Sequence, residues 1–267
     1  MTELNTLIFD VDGTLAENER DAHLVAFNET FAEYNLDWHW SPEFYGELLA
    51  VTGGKERIKF YLDKYRPDYP RPDNLEAFIA ELHKNKTVRY NDMLARRPIP
   101  LRPGVHRLLE EARREGLRLA IATTTSLKNV TTLLEYSLAP EAIEWFEVIA
   151  AGDMITAKKP APDIYHYALK QLRLKGEQCL AIEDSKNGIR AAMGANIPTL
   201  ITVSDYTRHE YFTGALLVLN HLGEPDQPFT VLAGNAGEAR YVDVALLHRL
   251  FNDQSSKLKF GRLITVH

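Results

Sequence analysis

Cysteine is almost missing from this chain. Cys179 is the only one among 267 residues, so no disulfide can form within the chain and a reducing compartment is expected. Cys179 lies in the apolar stretch CLAIED with no basic neighbour to stabilise a thiolate, and reads as a structural core residue. Long apolar runs are missing too, none approaching the roughly 20 residues that cross a bilayer. The first residues enter a strand without a basic region or cleavage site, so a cytoplasmic protein with no membrane partner is expected. A basic excess is also lacking. The net charge of −6 argues against nucleic acid or anionic membrane as a general partner. An anionic ligand must therefore meet a local cluster of donors. There is no internal repeat and no low-complexity tract.

What is present is the composition of an ordinary globular protein, 45% apolar and 25% charged. The length suits one large domain or a domain carrying an inserted one. Apolar, β-rich runs stand at NTLIFD (5–10), LRLAIATTTS (117–126), FEVIAAGD (146–153), CLAIEDS (179–185) and IPTLITVS (197–204), with ALLVLN (215–220) a weaker sixth. Helical patterns separate most of them. RPGVHRLLEEARREG carries Pro103 near its first turn, an apolar face of Val105, Leu108, Leu109 and Ala112, and Gly116 as its stop. APDIYHYALKQLRL opens with Pro162 and Asp163, which is expected to cap or orient that helix, and KNGIRAAMGA closes at Gly194. Strand, helix, strand in succession predicts an α/β fold with a doubly wound, Rossmann-like parallel sheet. Residues 17–97 break the rhythm: Leu24, Phe27, Phe31 and Tyr34, then Leu75, Phe78, Ile79 and Leu82, recur at helical spacing without a convincing strand. The expected division is a core of residues 1–16 and 98–267 and an inserted helical domain of residues 17–97. After about residue 220 the pattern is less legible, with YVDVALLHRLF a candidate last helix and NDQSSKLKF expected to be solvated.

In open parallel sheets, ligands bind beyond the carboxyl ends of the strands. Every notable polar cluster falls at such an end. The strand LIF runs straight into Asp10 and Asp12, whose side chains, two residues apart, share a face at roughly 6–7 Å. Two carboxylates so placed repel unless a cation, a shared proton or backbone donors compensate. Thr123, Thr124, Thr125 and Ser126 end the second strand, Lys159 follows the third, and Glu183, Asp184 and Ser185 end the fourth. Taken singly, adjacent acids, a threonine run and a Lys-Pro pair are ordinary surface features. Together, hard oxygen donors without His or Cys suit Mg²⁺ rather than zinc. Hydroxyls, backbone N–H groups and a lysine make a phosphate cradle. The combination points to phosphoryl transfer.

DVDGT, the TTTS strand end, KKPAPDIY and IEDSKNG resemble, in order, the four motifs of the haloacid dehalogenase-like hydrolase superfamily. The resemblance spans residues 10–188. A helical insertion after the first motif is the arrangement of its members with a C1-type cap. TGGKERI (52–58), LAIATTTS, IAAGDM and YTRHE are similar to the CbbY branch, associated with removing a phosphate from xylulose 1,5-bisphosphate. The resemblance implies that Asp10 is the nucleophile and Asp12 the general acid and base. It implies Mg²⁺ held by the carboxylates of Asp10 and Asp184 and the main-chain oxygen of Asp12, with Glu183 in support. Thr123 and the N–H of Thr124 would hold phosphoryl oxygens, with Thr125 and Ser126 beside them, and Lys159 would balance charge. Gly13 would keep clear the turn that aims the two aspartates, though a generic turn glycine fits as well.

In the inserted domain, Thr52, Gly53, Gly54, Lys55 and Arg57 fit a second anion site at a helix start; a solvated basic edge fits the same residues. Glu17 could bond sugar hydroxyls or serve as a plain hinge residue. His23, Trp38 and Trp40 are read as packing, and Arg208 and His209 as structural. The expectation is a monomeric, Mg²⁺-dependent sugar-phosphate phosphatase whose partner is a small molecule. A β-phosphoglucomutase-like phosphomutase would share the site, and a non-catalytic binding protein could share the fold. A dehalogenase would lack the second aspartate.

Overall fold

The computed structural model describes residues 3–263, with side chains through residue 254. The sheet holds seven strands: β1 (Thr6–Phe9), β2 (Arg118–Ala122), β3 (Val148–Ala150), β4 (Cys179–Glu183), β5 (Thr199–Thr202), β6 (Leu217–Leu219) and β7 (Val231–Gly234). Their spatial order is β3-β2-β1-β4-β5-β6-β7. The first six are parallel, and β7 alone runs antiparallel, against β6. β1 is central, pairing Phe9 with Ile121 on one side and Ile182 on the other. Helices cover both its faces, which is why Leu7, Ile8 and Phe9 are apolar in succession rather than alternating. The sixth strand is where ALLVLN placed it. β7 carried no signal, because all four of its residues are exposed at the sheet edge.

The two faces divide the core by the two-residue period of a strand. Leu7, Phe9, Leu119, Ile121, Leu180 and Ile182 pack on one side with α5 (Val105–Arg114), α6 (Leu127–Ser137) and α9 (Val244–Leu263). Ile8, Ala120, Ala122, Cys179 and Ala181 pack on the other with α7 (Asp163–Leu172) and α8 (Lys186–Gly194). Cys179 is fully buried, and burial pushes its thiol up to about 12, which suits the structural role. Asp163 opens α7 without a capping hydrogen bond, so only its charge favours the helix start. NDQSSKLKF continues α9; Asn252 and Asp253 are exposed, and from Ser255 onward the side chains lie outside the described residues.

Between β1 and α5 stand four helices without a strand: α1 (Val25–Glu33), preceded by a wider helical turn at Glu19–Leu24, α2 (Pro42–Leu48), α3 (Gly54–Tyr65) and α4 (Leu75–Arg96). They enclose an aromatic core of their own. Trp40 packs edge-on to Phe31 at 4.8 Å and against Phe27 at 4.9 Å, and Trp38 edge-on to Phe31 at 5.3 Å. Both tryptophans are packing residues, as expected. Arg102 anchors the return to the sheet. Its N–H donates to Leu15 O at 2.9 Å, and its buried guanidinium donates to the carbonyls of Gly13, Thr202, Val203 and Asn220. One side chain thus ties the turn after Asp12 to the ends of β5 and β6.

Candidate active site

The carboxyl ends of β1, β2 and β4 place their polar residues around one point. Lys159 Nζ donates to Asp10 Oδ1 at 2.7 Å, to Glu183 Oε1 at 2.6 Å and to the Ala122 carbonyl at 2.9 Å. Tyr165, on α7, also donates to Glu183 Oε1, at 2.5 Å. Carboxylate oxygens of Asp10, Glu183 and Asp184 lie within 4.8 Å of one another. Gly13, at φ +80°, turns the chain there; a Cβ on it would sit 2.3 Å from Asp184 Oδ2. That close approach gives Gly13 a specific job.

The electrostatics follow from burial. Desolvation raises Asp10 to about 7, with Lys159 opposing and Glu183 and Asp12 adding to the rise. Asp184 lies well above the usual carboxylate range, through burial and then the charges of Asp10 and Glu183. Burial alone would depress Lys159, but the two carboxylates outweigh it and raise the ammonium. Three acids and one lysine leave negative charge to be neutralised. A hard divalent cation suits such a set of oxygen donors.

Asp12 has different company. His23 Nε2 lies 3.1 Å from its Oδ1, and the Asn18 amide donates to the same oxygen at 2.6 Å. Lys86 meets His23 Nδ1, and the His23 ring stacks on Tyr90 at 4.1 Å. Burial alone would raise Asp12, yet His23, Asn18 and Lys86 together hold it at about 2. The reading of His23 as packing is thus incomplete: it stacks, and it also faces Asp12. Lys86 was missed altogether.

The inserted helices roof a cavity of about 230 Å³ whose floor carries Asp10, Asp12, Thr123, Thr124, Lys159 and Asp184. Its roof carries Glu19, Gly46, Thr52 and Arg57. A recess of about 50 Å³ beside it is lined by Gly53, Gly54, Arg57, Lys86 and Thr125, among others. Arg57 is buried, donates to Tyr45 Oη at 3.0 Å, and keeps its Nε without a partner. Tyr45 in turn donates to Glu19 at 2.6 Å. Thr52 Oγ accepts from Asn187 of the core at 3.0 Å.

Four expected site residues sit elsewhere or do other work. Lys55 is exposed and lines neither cavity. Glu17 pairs with Arg102 at 3.3 Å and does not line the cavity, whereas Glu19, two residues on, lines it with Glu47 and Glu210. Ser126 caps α6 by accepting from Asn129 N and borders an outer groove, not the central cavity. Thr125 accepts from the Asn129 side chain at 2.9 Å. Among the described residues, no helix is long and apolar enough to cross a membrane.

The parallel strands and the acid-lysine-threonine site at their ends fit a hydrolase, specifically a phosphatase, and phosphatase-named relatives support that class. The model of the haloacid dehalogenase-like hydrolases matches residues 4–196, and the chain belongs to that family. Among its relatives is the CbbY protein of Cereibacter sphaeroides, 49% identical over 221 residues, which cover 83% of this chain and 94% of that one. A plasmid CbbY protein of Cupriavidus necator is 45% identical over 244 residues, covering 91% and 95%. The crystal structure of a CbbY mutant from Rhodobacter sphaeroides in complex with xylulose 1,5-bisphosphate superimposes with a TM-score of 0.75 at 48% identity, covering 82% of this chain and 94% of that one.

Proposed function

We propose that the chain is a Mg²⁺-dependent sugar-phosphate phosphatase that works through a phosphorylated Asp10, on a sugar bisphosphate such as xylulose 1,5-bisphosphate. Residues 17–97 act as a cap over a core of residues 1–16 and 98–267. The observation that carries the reading is Arg57. This buried cation has no carboxylate within ion-pair distance among the described residues, and it roofs the cavity whose floor holds Asp10. A buried charge without a partner is costly. The second phosphate of a substrate bound by its first at Asp10 supplies that partner. The bisphosphate complex of the CbbY relative supports the same reading.

The donor set fits Mg²⁺: oxygen ligands only, from the carboxylates of Asp10 and Asp184 and the main-chain oxygen of Asp12, with Glu183 in support. When bound, the metal screens the nucleophile from an incoming phosphate dianion and orients it. The chain's own residues do the rest. Lys159 holds Asp10 Oδ1 at 2.7 Å and so fixes the carboxylate that attacks phosphorus. Thr123 and the N–H of Thr124 bind phosphoryl oxygens at the strand end. In the free site Asp12, at about 2, is ionised. A phosphate dianion beside it raises its proton affinity, so Asp12 takes up a proton from solvent as substrate binds. Asp12 then gives a proton to the leaving sugar oxygen and takes one from the water that hydrolyses the phospho-enzyme. Glu19, braced by Tyr45, accepts hydrogen bonds from sugar hydroxyls.

Phosphate release from matched sugar mono- and bisphosphates tests this. Arg57→Met should raise KM for the bisphosphate by the equivalent of about 1.5–3 kcal/mol, the range for charged hydrogen bonds, and act less on the monophosphate. Exposed Lys55, changed to Ala, should have the smaller effect. Equal losses on both substrates would refute the second-phosphate role of Arg57.

A further inference from the structure

The stretch YTRHE lies in the loop after β5, and Tyr206 lines the cavity together with Thr207 and Glu210. The loop is held by its own polar groups: Ser204 N donates to Thr207 Oγ1 at 2.9 Å, and Thr207 N to Ser204 O at 3.2 Å. From that base the Tyr206 ring reaches across to the cap. It meets Tyr45 edge-on, with centroids 6.0 Å apart at 73°. It also covers Gly46 so closely that a Cβ there would lie 2.9 Å from its Cδ1. Its hydroxyl is buried and has no hydrogen-bond partner.

The neighbouring tyrosine shows what is unusual here. Tyr45 Oη is fully engaged, donating to Glu19 and accepting from Arg57. Tyr206 Oη, on a residue that lines the same cavity, has no partner. A buried hydroxyl without a partner costs about 1–3 kcal/mol, and native structures leave few such groups without a reason. Burial, with the charge of Glu19 nearby, pushes the phenol up to about 12, so it remains a donor. A donor needs an acceptor, and the cavity is where one can arrive.

We propose that Tyr206 is a substrate-positioning and specificity-determining residue, donating a hydrogen bond to an oxygen on the carbon chain of the bound sugar phosphate. This rests on the sugar-phosphatase reading above. The residue belongs to the core but its ring is seated by the cap, so the hydroxyl is presented to substrate only while the cap rests on the loop. It distinguishes polyol phosphates from phosphates that carry no hydroxyl, and touches neither Asp10 nor Lys159.

Tyr206→Phe keeps the ring on Gly46 and removes only the donor. KM for a sugar phosphate should rise roughly 2- to 13-fold, the worth of one neutral hydrogen bond, with kcat changing less. The rise on p-nitrophenyl phosphate, which has no hydroxyl, should be several-fold smaller. Gly46→Ala, which displaces the ring, should reproduce the discrimination if the folded protein is recovered, as circular dichroism will show. Equal losses on both substrates from Tyr206→Phe would overturn the proposal and leave Tyr206 a cap contact. So would a wild-type enzyme active on sugar phosphates and indifferent to the change. A wild type that cleaves p-nitrophenyl phosphate but no sugar phosphate would instead overturn the parent reading, and this one with it.

Discussion

Lys86→Met should make the protein more stable at neutral pH relative to alkaline pH, although it removes a charge beside the active site. Lys86 is 4% exposed, and burial lowers it from 10.5 to about 8, with Glu19 and Asp12 opposing and Arg57 adding to the fall. A base whose folded pKa lies below its unfolded value binds fewer protons when folded, so stability rises with pH between the two values. Below about 8 the penalty is present in full; above about 10.5 it is gone. At about 1.4 kcal/mol per unit, the ammonium costs on the order of 3 kcal/mol at neutrality. Methionine removes that cost but leaves His23 Nδ1 without its partner and gives up the ring contacts to Phe27 at 4.8 Å and Tyr90 at 5.2 Å. The cost of leaving His23 without its partner applies at both pH values, whereas the ring contacts belong to the ammonium and are already part of its folded pKa, so the pH dependence isolates the lysine. In urea unfolding, the wild type should gain about 2 kcal/mol on the variant between about pH 7 and about pH 9.5. A wild-type-minus-variant difference that is the same at both pH values would refute the claim that a charged Lys86 is buried there. Asp12 should bind a proton more readily in the variant, because the charge of Lys86 is one of the causes that lower it.

EDTA should abolish phosphate release and Mg²⁺ restore it, while Ca²⁺, with its looser coordination, should inhibit; full turnover in EDTA would contradict the ligand set. Asp12→Asn should lower kcat by roughly 10²–10⁴-fold, the usual worth of general acid–base help, with a native circular dichroism spectrum. Gly188→Ala should damage fold and activity together. Its Cβ would stand 1.8 Å from Glu183 Oε2, and Glu183 sits under Lys159. A thermal midpoint unchanged by this substitution would show that the close approach is wrong.

The core site was legible because its chemistry is written in short stretches at strand ends. Asp10, Asp12, Lys159 and Asp184 each follow or precede an apolar run that announces a buried strand, and parallel topology brings such ends together. Glu19, His23, Lys86 and Tyr206 reach the site through tertiary packing, which leaves a weaker trace. Lys86 had one available: it stands at an apolar position of α4, in line with Ile79, Leu82, Tyr90 and Leu94. A lysine on a buried stripe is a signal, and HKNKTVRY reads as a solvated face only when its spacing is ignored. Glu19 had none, because it lies in an irregular turn of wide helix with no period to read. In the basic helix start, residue type suggested both Lys55 and Arg57, and only the facing of α3 separates an exposed charge from a buried one. β7 was invisible for the opposite reason, since an exposed edge strand buries nothing that would pattern it.

The central claim is that Asp10 carries the phosphoryl group. The direct measurement is to mix the Mg²⁺-loaded enzyme with a sugar bisphosphate, quench in acid within the first turnover, and map the phosphorylated peptide by mass spectrometry. The account predicts acid-stable, base-labile phosphate on the peptide holding Asp10, absent in Asp10→Asn. Phosphate on Thr123, Ser126 or another residue, or an Asp10→Asn protein that turns over at the wild-type rate, would contradict it.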